Sequence, residues 1–147
     1  MPERADAPHP FLDHPRPIAF AHRGGSFEAE ENTMAAFAHA VGLGYSHVET
    51  DVRATRDGVA VIFHDDTLER MTGEAVRVVD LTWAELKARR TKAGEAIPGL
   101  DEMLAAWPGL FINLEAKSDA AVVPMAEAIV RADALWRVCV GSFDADR

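Results

Sequence analysis

Tyr45-Ser46-His47-Val48-Glu49-Thr50-Asp51-Val52-Arg53 is the stretch on which the fold turns. Its alternation reads as a strand. Side chains two apart share a face of a strand, so Glu49, Asp51 and Arg53 point the same way. Two carboxylates side by side repel unless something positive lies between them. Three other short apolar runs end in the same manner. Ile18-Ala19-Phe20-Ala21 leads into His22-Arg23-Gly24, residues 59–63 lead into His64-Asp65, and residues 110–114 lead into Glu115-Ala116-Lys117. Strand ends that collect carboxylates, imidazoles and cations form the pattern of a β/α enzyme mouth.

The spacing outward from these runs predicts alternating strands and helices. A short buried strand is expected over 18–21, with Gly24 and Gly25 releasing the chain into a loop. A helix from about Thr33 carries Met34, Phe37, Ala38 and Val41 on one face and stops at Gly42 and Gly44. Asp57-Gly58 is a tight-turn signal between the strand over 45–53 and another over 59–64. That link is too short for a parallel crossover. A two-residue hairpin loop there would set Asp51 opposite His64. Thr82-Trp83-Ala84-Glu85 is a capping box opening a helix with Leu86 inside. Leu100, Met103, Leu104 and Trp107 mark a further helix, stopped by Pro108-Gly109. A strand over 110–114 follows, then a helix over 123–132 with Pro124 in its first turn, and a fifth strand over 136–143. The class is α/β. A closed barrel of this type needs eight strands, and about five are legible here.

The 147 residues suggest one domain, with 48% hydrophobic and 27% charged residues, the profile of a soluble globular protein. The formal net charge of -9 argues against nucleic acid as a partner and against docking on an anionic membrane. No stretch is long and apolar enough for a membrane span or signal peptide. Residues 1–17 read as a loose lead-in to a domain over 18–147. Cys139, between two valines, reads as a small buried hydrophobe. A lone cysteine gives no sign of an oxidising compartment, and the expected location is the cytoplasm.

The chemistry-bearing residues suit the holding of a divalent cation beside a phosphate ester and the movement of protons around it. Glu49, Asp51 and Glu115 supply hard oxygen ligands, which accept Mg²⁺ and Ca²⁺ alike. His22 and His64 each end an apolar strand and bring imidazole, a group suited to proton transfer, with the order of acid and base left open. Taken singly, each is more often a hydrogen-bonded structural histidine or a surface residue. Arg23 and Lys117 are the cations beside these groups and suit phosphate oxygens. His9, His14, His39 and His47 have no such setting and read as surface or packing residues.

Taken in order, these residues resemble the glycerophosphodiester phosphodiesterase family. Its opening is matched by His22-Arg23-Gly24 with Glu31-Asn32-Thr33, its paired acids by Glu49-Thr50-Asp51, and its turn and His-Asp motif by Thr55-Arg56-Asp57-Gly58 and His64-Asp65. Residues 67–73, Ile97-Pro98-Gly99-Leu100, Glu115-Ala116-Lys117 and Ser142-Phe143-Asp144 also fit. Glu30 stands where the family usually has proline. The resemblance implies a TIM-type (β/α)8 barrel, represented here by its N-terminal part. It also implies hydrolysis of a small-molecule glycerophosphodiester to an alcohol and sn-glycerol 3-phosphate. His22 and His64 would be the acid/base pair, Glu49, Asp51 and Glu115 would hold the metal, and Arg23 and Lys117 would contact phosphate. The family's last three strands have no counterpart here, so a C-terminal segment or a second copy is expected to complete the barrel. A related barrel phospholipase, or a non-catalytic half-barrel that binds a metal or phosphorylated metabolite or assembles with another chain, are the competing readings.

Overall fold

The computed structural model describes residues 9–146. In chain order its elements are β1 (Phe20–His22), α1 (Met34–Gly42), β2 (His47–Ala54), β3 (Ala60–Ile62), α2 (Glu69–Thr72), α3 (Trp83–Lys87), α4 (Leu100–Ala106), β4 (Phe111–Ala116), α5 (Asp119–Arg131) and β5 (Val138–Gly141). Strands β1, β2, β4 and β5 lie side by side in that order, all parallel, and β3 runs antiparallel to β2. β2 is the spine. One of its edges pairs with β4 along His47 to Val52. Its other edge is shared: β1 takes His47 to Glu49 and β3 takes Val52 to Ala54. The long strand therefore leaves neither edge open, as a run buried at Val48, Thr50, Asp51 and Val52 requires.

Helices α1, α4 and α5 cover the sheet. Phe37, Met103, Leu104 and Met125 pack with Val48, Ile112 and Leu114 into one core. Thr33 caps α1 rather than starting it, with its hydroxyl accepting the Ala36 amide at 3.1 Å. The helix ends in a Schellman pair, Tyr45 N–H to the Ala40 carbonyl at 3.1 Å and Gly44 N–H to Val41 at 2.9 Å. Gly44 sits at φ 89, where a side chain would be strained. A second core gathers Val61, Phe63, Leu68, Met71, Leu86 and Ile97 beneath the β2–β3 hairpin. The capping box of α3 forms as read, with Thr82 and Glu85 bonding each other's backbone.

Four sequence expectations change. The hairpin loop has three residues, not two. Thr55 N–H reaches the Val59 carbonyl at 3.0 Å, Gly58 lies at φ 77, and Phe63 N–H reaches the Asp51 carbonyl at 3.0 Å. This is a turn closed by a glycine bulge. It slips the register by one, so Asp51 faces Phe63, and His64 lies beyond the end of β3. Helix α5 begins at Asp119, and Pro124 stands inside it. The carbonyl that Pro124 leaves unpaired belongs to exposed Ala120, where water can satisfy it. Cys139 is exposed, because β5 is covered by β4 on one side and carries little across its faces among the described residues. The lead-in is anchored in part: Pro10–Leu12 form a 3₁₀ turn, and Phe11 is buried against the rings of Phe20, His47 and Phe111. His47 stacks on Phe111 at 4.7 Å and bonds the Phe11 carbonyl at 2.9 Å, so it is a packing residue at the N-terminal end of the sheet. Residues 1–8 lie outside the described residues. Among those described, no helix is long and apolar enough to cross a membrane.

Candidate active site

The parallel register assembles the acids. It sets Asp51 of β2 beside Glu115 of β4, and His22 of β1 beside Glu49. Neighbouring strands lie about 5 Å apart, which brings such side chains into contact range. Oxygen atoms of Glu49, Asp51 and Glu115 all lie within 4.8 Å of one another. The Asp51 side chain is 2% exposed, whereas Glu49 and Glu115 open toward solvent at 14% and 16%. Burial, then the charge of Asp51, raises the Glu49 pKa above its ordinary value, despite the Arg23 amide and His22 pulling it down. A carboxylate held uncomfortably among others is what a cation relieves. Three oxygen donors, buried on one side and open on the other, fit a hard divalent ion.

Two cations and a histidine ring the cluster. Lys117 Nζ reaches Glu115 Oε1 at 2.9 Å and Asp51 Oδ1 at 3.7 Å. Arg23 Nε lies 3.2 Å from Asp51 Oδ2 without a straight N–H bond to it, and is a buried donor left unsatisfied. The Arg23 amide donates to Glu49 Oε2 at 3.3 Å, and His22 Nε2 stands 3.7 Å from the same atom. Next to them, His22, Glu49, Asn113, Glu115, Ser142 and Phe143 line an open cavity of about 410 Å³. Six of the seven residues singled out in the sequence are thus in one place.

His64 joins them indirectly. Its Nδ1 bonds Asp65 Oδ1 at 2.7 Å, and its backbone carbonyl accepts from Arg53 Nε at 2.9 Å. Asp65 is gripped by Arg70, which also holds Glu31, and Glu31 pairs with Arg23 at 3.0 Å. Burial alone would raise the pKa of Asp65 and of Glu31. The hydrogen bonds and charge of Arg70, added to those of Arg23 at Glu31 and of His64 at Asp65, together outweigh it and hold both carboxyls below their ordinary range.

Sequence reasoning gave no role to Asn32, Thr50 or Arg70. Asn32 is buried, donates to Asp51 Oδ2 at 2.9 Å and accepts from the Thr50 hydroxyl at 2.8 Å. Arg23 and Asn32 adopt positive φ, 53 and 57, at the two ends of the loop, and Asn32 N–H closes onto the Arg23 carbonyl at 2.9 Å. Glycine-rich sequence after a strand signalled a special loop, but not which polar residue would turn back under the acids. Gly24 is fixed by crowding as well as by φ 77, since a Cβ there would meet Phe37 Cδ1 at 2.8 Å.

A model of the glycerophosphoryl diester phosphodiesterase family matches residues 22–147, a span holding all seven of these residues. The chain belongs to that family. The probable glycerophosphodiester phosphodiesterase 2 of Mycobacterium tuberculosis is 44% identical over 138 residues, which are 93% of this chain and 52% of that protein. Among solved structures, the family's enzyme from Thermotoga maritima superposes with a TM-score of 0.79 at 34% identity, covering 90% of this chain and 57% of that one. An Oleispira antarctica phosphodiesterase, solved with the product sn-glycerol-3-phosphate, gives a TM-score of 0.77 at 31% identity, covering 86% and 57%. The chain spans about half the length of the relatives it matches. Its parallel sheet with flanking helices is part of the family's TIM-type barrel.

Proposed function

We propose that residues 18–147 carry the chemistry of a metal-dependent glycerophosphodiester phosphodiesterase, cutting a glycerophosphodiester to an alcohol and sn-glycerol 3-phosphate. The observation that carries the reading is the packing of Glu49, Asp51 and Glu115 within 4.8 Å of one another, with Arg23, Lys117 and His22 around them. These carboxylates would hold one Mg²⁺ or Ca²⁺ ion, which when bound polarises phosphoryl oxygens. Arg23 brings an unsatisfied Nε, and Lys117 an ammonium half-committed to Glu115, to the negative charge that grows on phosphorus-bound oxygen. His22 is open to solvent at 69% and can exchange a proton with a bound group. His64 faces the ionised Asp65, so its Nδ1 carries the proton and Nε2 is left as the basic nitrogen. One imidazole takes the proton of the attacking oxygen while the other supplies the leaving alcohol.

The test is release of sn-glycerol 3-phosphate from glycerophosphocholine by the full chain, alone and with Mg²⁺ or Ca²⁺. Turnover lost on chelation, and lowered at least about 100-fold in His22→Ala and in His64→Ala, is the expected result. Turnover untouched by both substitutions removes the acid/base assignment. Cation binding without turnover identifies the competing binding module.

A further inference from the structure

Outside the acid cluster, and among the described residues, a set of short ion pairs converges on a residue with no assigned part in the chemistry. Arg70 Nε lies 2.6 Å from Asp65 Oδ2, and its Nη2 lies 3.2 Å from Asp65 Oδ1 and 2.6 Å from Glu31 Oε1. One planar guanidinium thus serves two carboxylates from separate segments. Each carboxylate has a second partner. Asp65 holds His64 Nδ1 at 2.7 Å, and Glu31 holds Arg23 Nη1 at 3.0 Å. Arg23 in turn touches Asp51 and Glu49.

We propose that Arg70 is a positioning residue, a bridge that fixes the His64 ring through Asp65 and the Arg23 guanidinium through Glu31. It therefore sets the imidazole and the cation-binding carboxylates relative to one another. The inference rests on the proposed reading for its catalytic meaning but not for its test. Only a forked donor can do this. A guanidinium offers several N–H groups in one plane, whereas an ammonium is a point charge on a flexible stem. The surroundings agree. Arg70 sits on α2, a helix of four residues (Glu69–Thr72), whose Met71 is buried in the second core. The hairpin core thereby sets where the guanidinium stands. Arg70 is itself 48% exposed in its side chain, so it is not needed to fill space.

The test is NMR on the ¹⁵N-labelled full chain without substrate, at a pH where His64 is neutral, with Mg²⁺ alone as titrant. Wild type is expected to show His64 in one tautomer, Nδ1–H, favoured roughly tenfold by the bond to charged Asp65. In Arg70→Gln the two tautomers mix. In the same variant Glu31 turns wholly to Arg23 and draws it from Asp51. With one positive charge also gone, Mg²⁺ binds about threefold or more tightly. Arg70→Lys keeps the charge and is the safeguard if Arg70→Gln does not fold. Its ammonium cannot hold both carboxylates as a fork, so the tautomers mix there too. A His64 tautomer that stays single in either folded variant overturns the bridge, as does an Mg²⁺ midpoint within twofold of wild type in Arg70→Gln. A fall in Tm with both readouts unchanged leaves Arg70 a mere anchor of α2. Because the readouts are resonances of the unreacted protein, a chain without turnover does not decide them.

Discussion

Replacing Asn32 by alanine removes the support under Asp51 and leaves the three carboxylates of the acid cluster themselves untouched. The residue is 4% exposed, donates to Asp51 Oδ2 at 2.9 Å, accepts from Thr50 Oγ1 at 2.8 Å and sits at φ 57. The bond to the charged carboxylate is worth about 1.5–3 kcal/mol. The Thr50 hydroxyl, itself fully buried, loses its acceptor at a cost of about 1–3 kcal/mol. Alanine also fits the left-handed backbone at this position less readily than asparagine does, about 1 kcal/mol more. Asp51 keeps Arg23 at 3.2 Å as a partner, which favours the low end of these ranges, about 3.5 kcal/mol in all. That is a large share of the roughly 5–15 kcal/mol that holds a domain together. Urea unfolding followed by tryptophan fluorescence measures it. Asn32→Gly loses the same bonds but tolerates the backbone, and is expected to be about 1 kcal/mol less damaged than Asn32→Ala. A cost below about 1 kcal/mol for Asn32→Ala, with an unchanged urea slope, would refute the claim that Asn32 ties Asp51 into the core.

Gly24→Ala combines a positive φ with a Cβ 2.8 Å from Phe37 Cδ1, and is expected to lower stability by about 2 kcal/mol or more in the same assay. Arg137 is 2% exposed and donates to the carbonyls of Leu104, Trp107 and Leu110, so Arg137→Ala leaves buried acceptors unpaired. A loss of about 2–4 kcal/mol is expected by urea unfolding, with Mg²⁺ affinity unchanged because the residue precedes β5 at the opposite end of the sheet. Asp57 is held below its ordinary pKa by the Thr55 hydroxyl and then the Trp83 amide, and Glu85 by the Thr82 amide and then its hydroxyl. Depressed folded-state values stabilise the fold above the unfolded values, and that contribution disappears as pH falls through the folded ones. The double variant Asp57→Asn, Glu85→Gln should therefore show a shallower fall of Tm below about pH 4 than wild type. Parallel Tm profiles would contradict it.

Much of this fold is legible because backbone periodicity is local. The strand through Glu49 and Asp51, the span of α1 with Phe37 inside, and the Thr82–Glu85 capping box each follow from residues within a few positions of one another, although Ala36 and Ala40 rather than Ala38 are buried beside Phe37. The readings that changed involve competition between segments. The Asp57-Gly58 signal was real, but the bulge at Gly58 shifts the pairing by one residue and carries His64 past the strand. Pro124 normally marks a first turn, yet α5 starts five residues earlier because Ala121 and Met125 have a core to enter. Cys139 between valines looked buried, but burial depends on what packs over a strand, which its neighbours in sequence do not specify.

The sequence by itself determined which chemical groups stand at the ends of the strands, since alternation along a β-strand fixes which side chains share a face. Tertiary structure alone decided which of those groups meet. The β2–β4 register places Asp51 by Glu115, and the loop from Arg23 returns Asn32 beneath Asp51. Arg70 reaches both Asp65 and Glu31 only because α2 packs where it does. Ionic and hydrogen-bonding contacts act over a few ångströms between residues up to 66 positions apart, as Asp51 and Lys117 are, and no local pattern encodes such a distance.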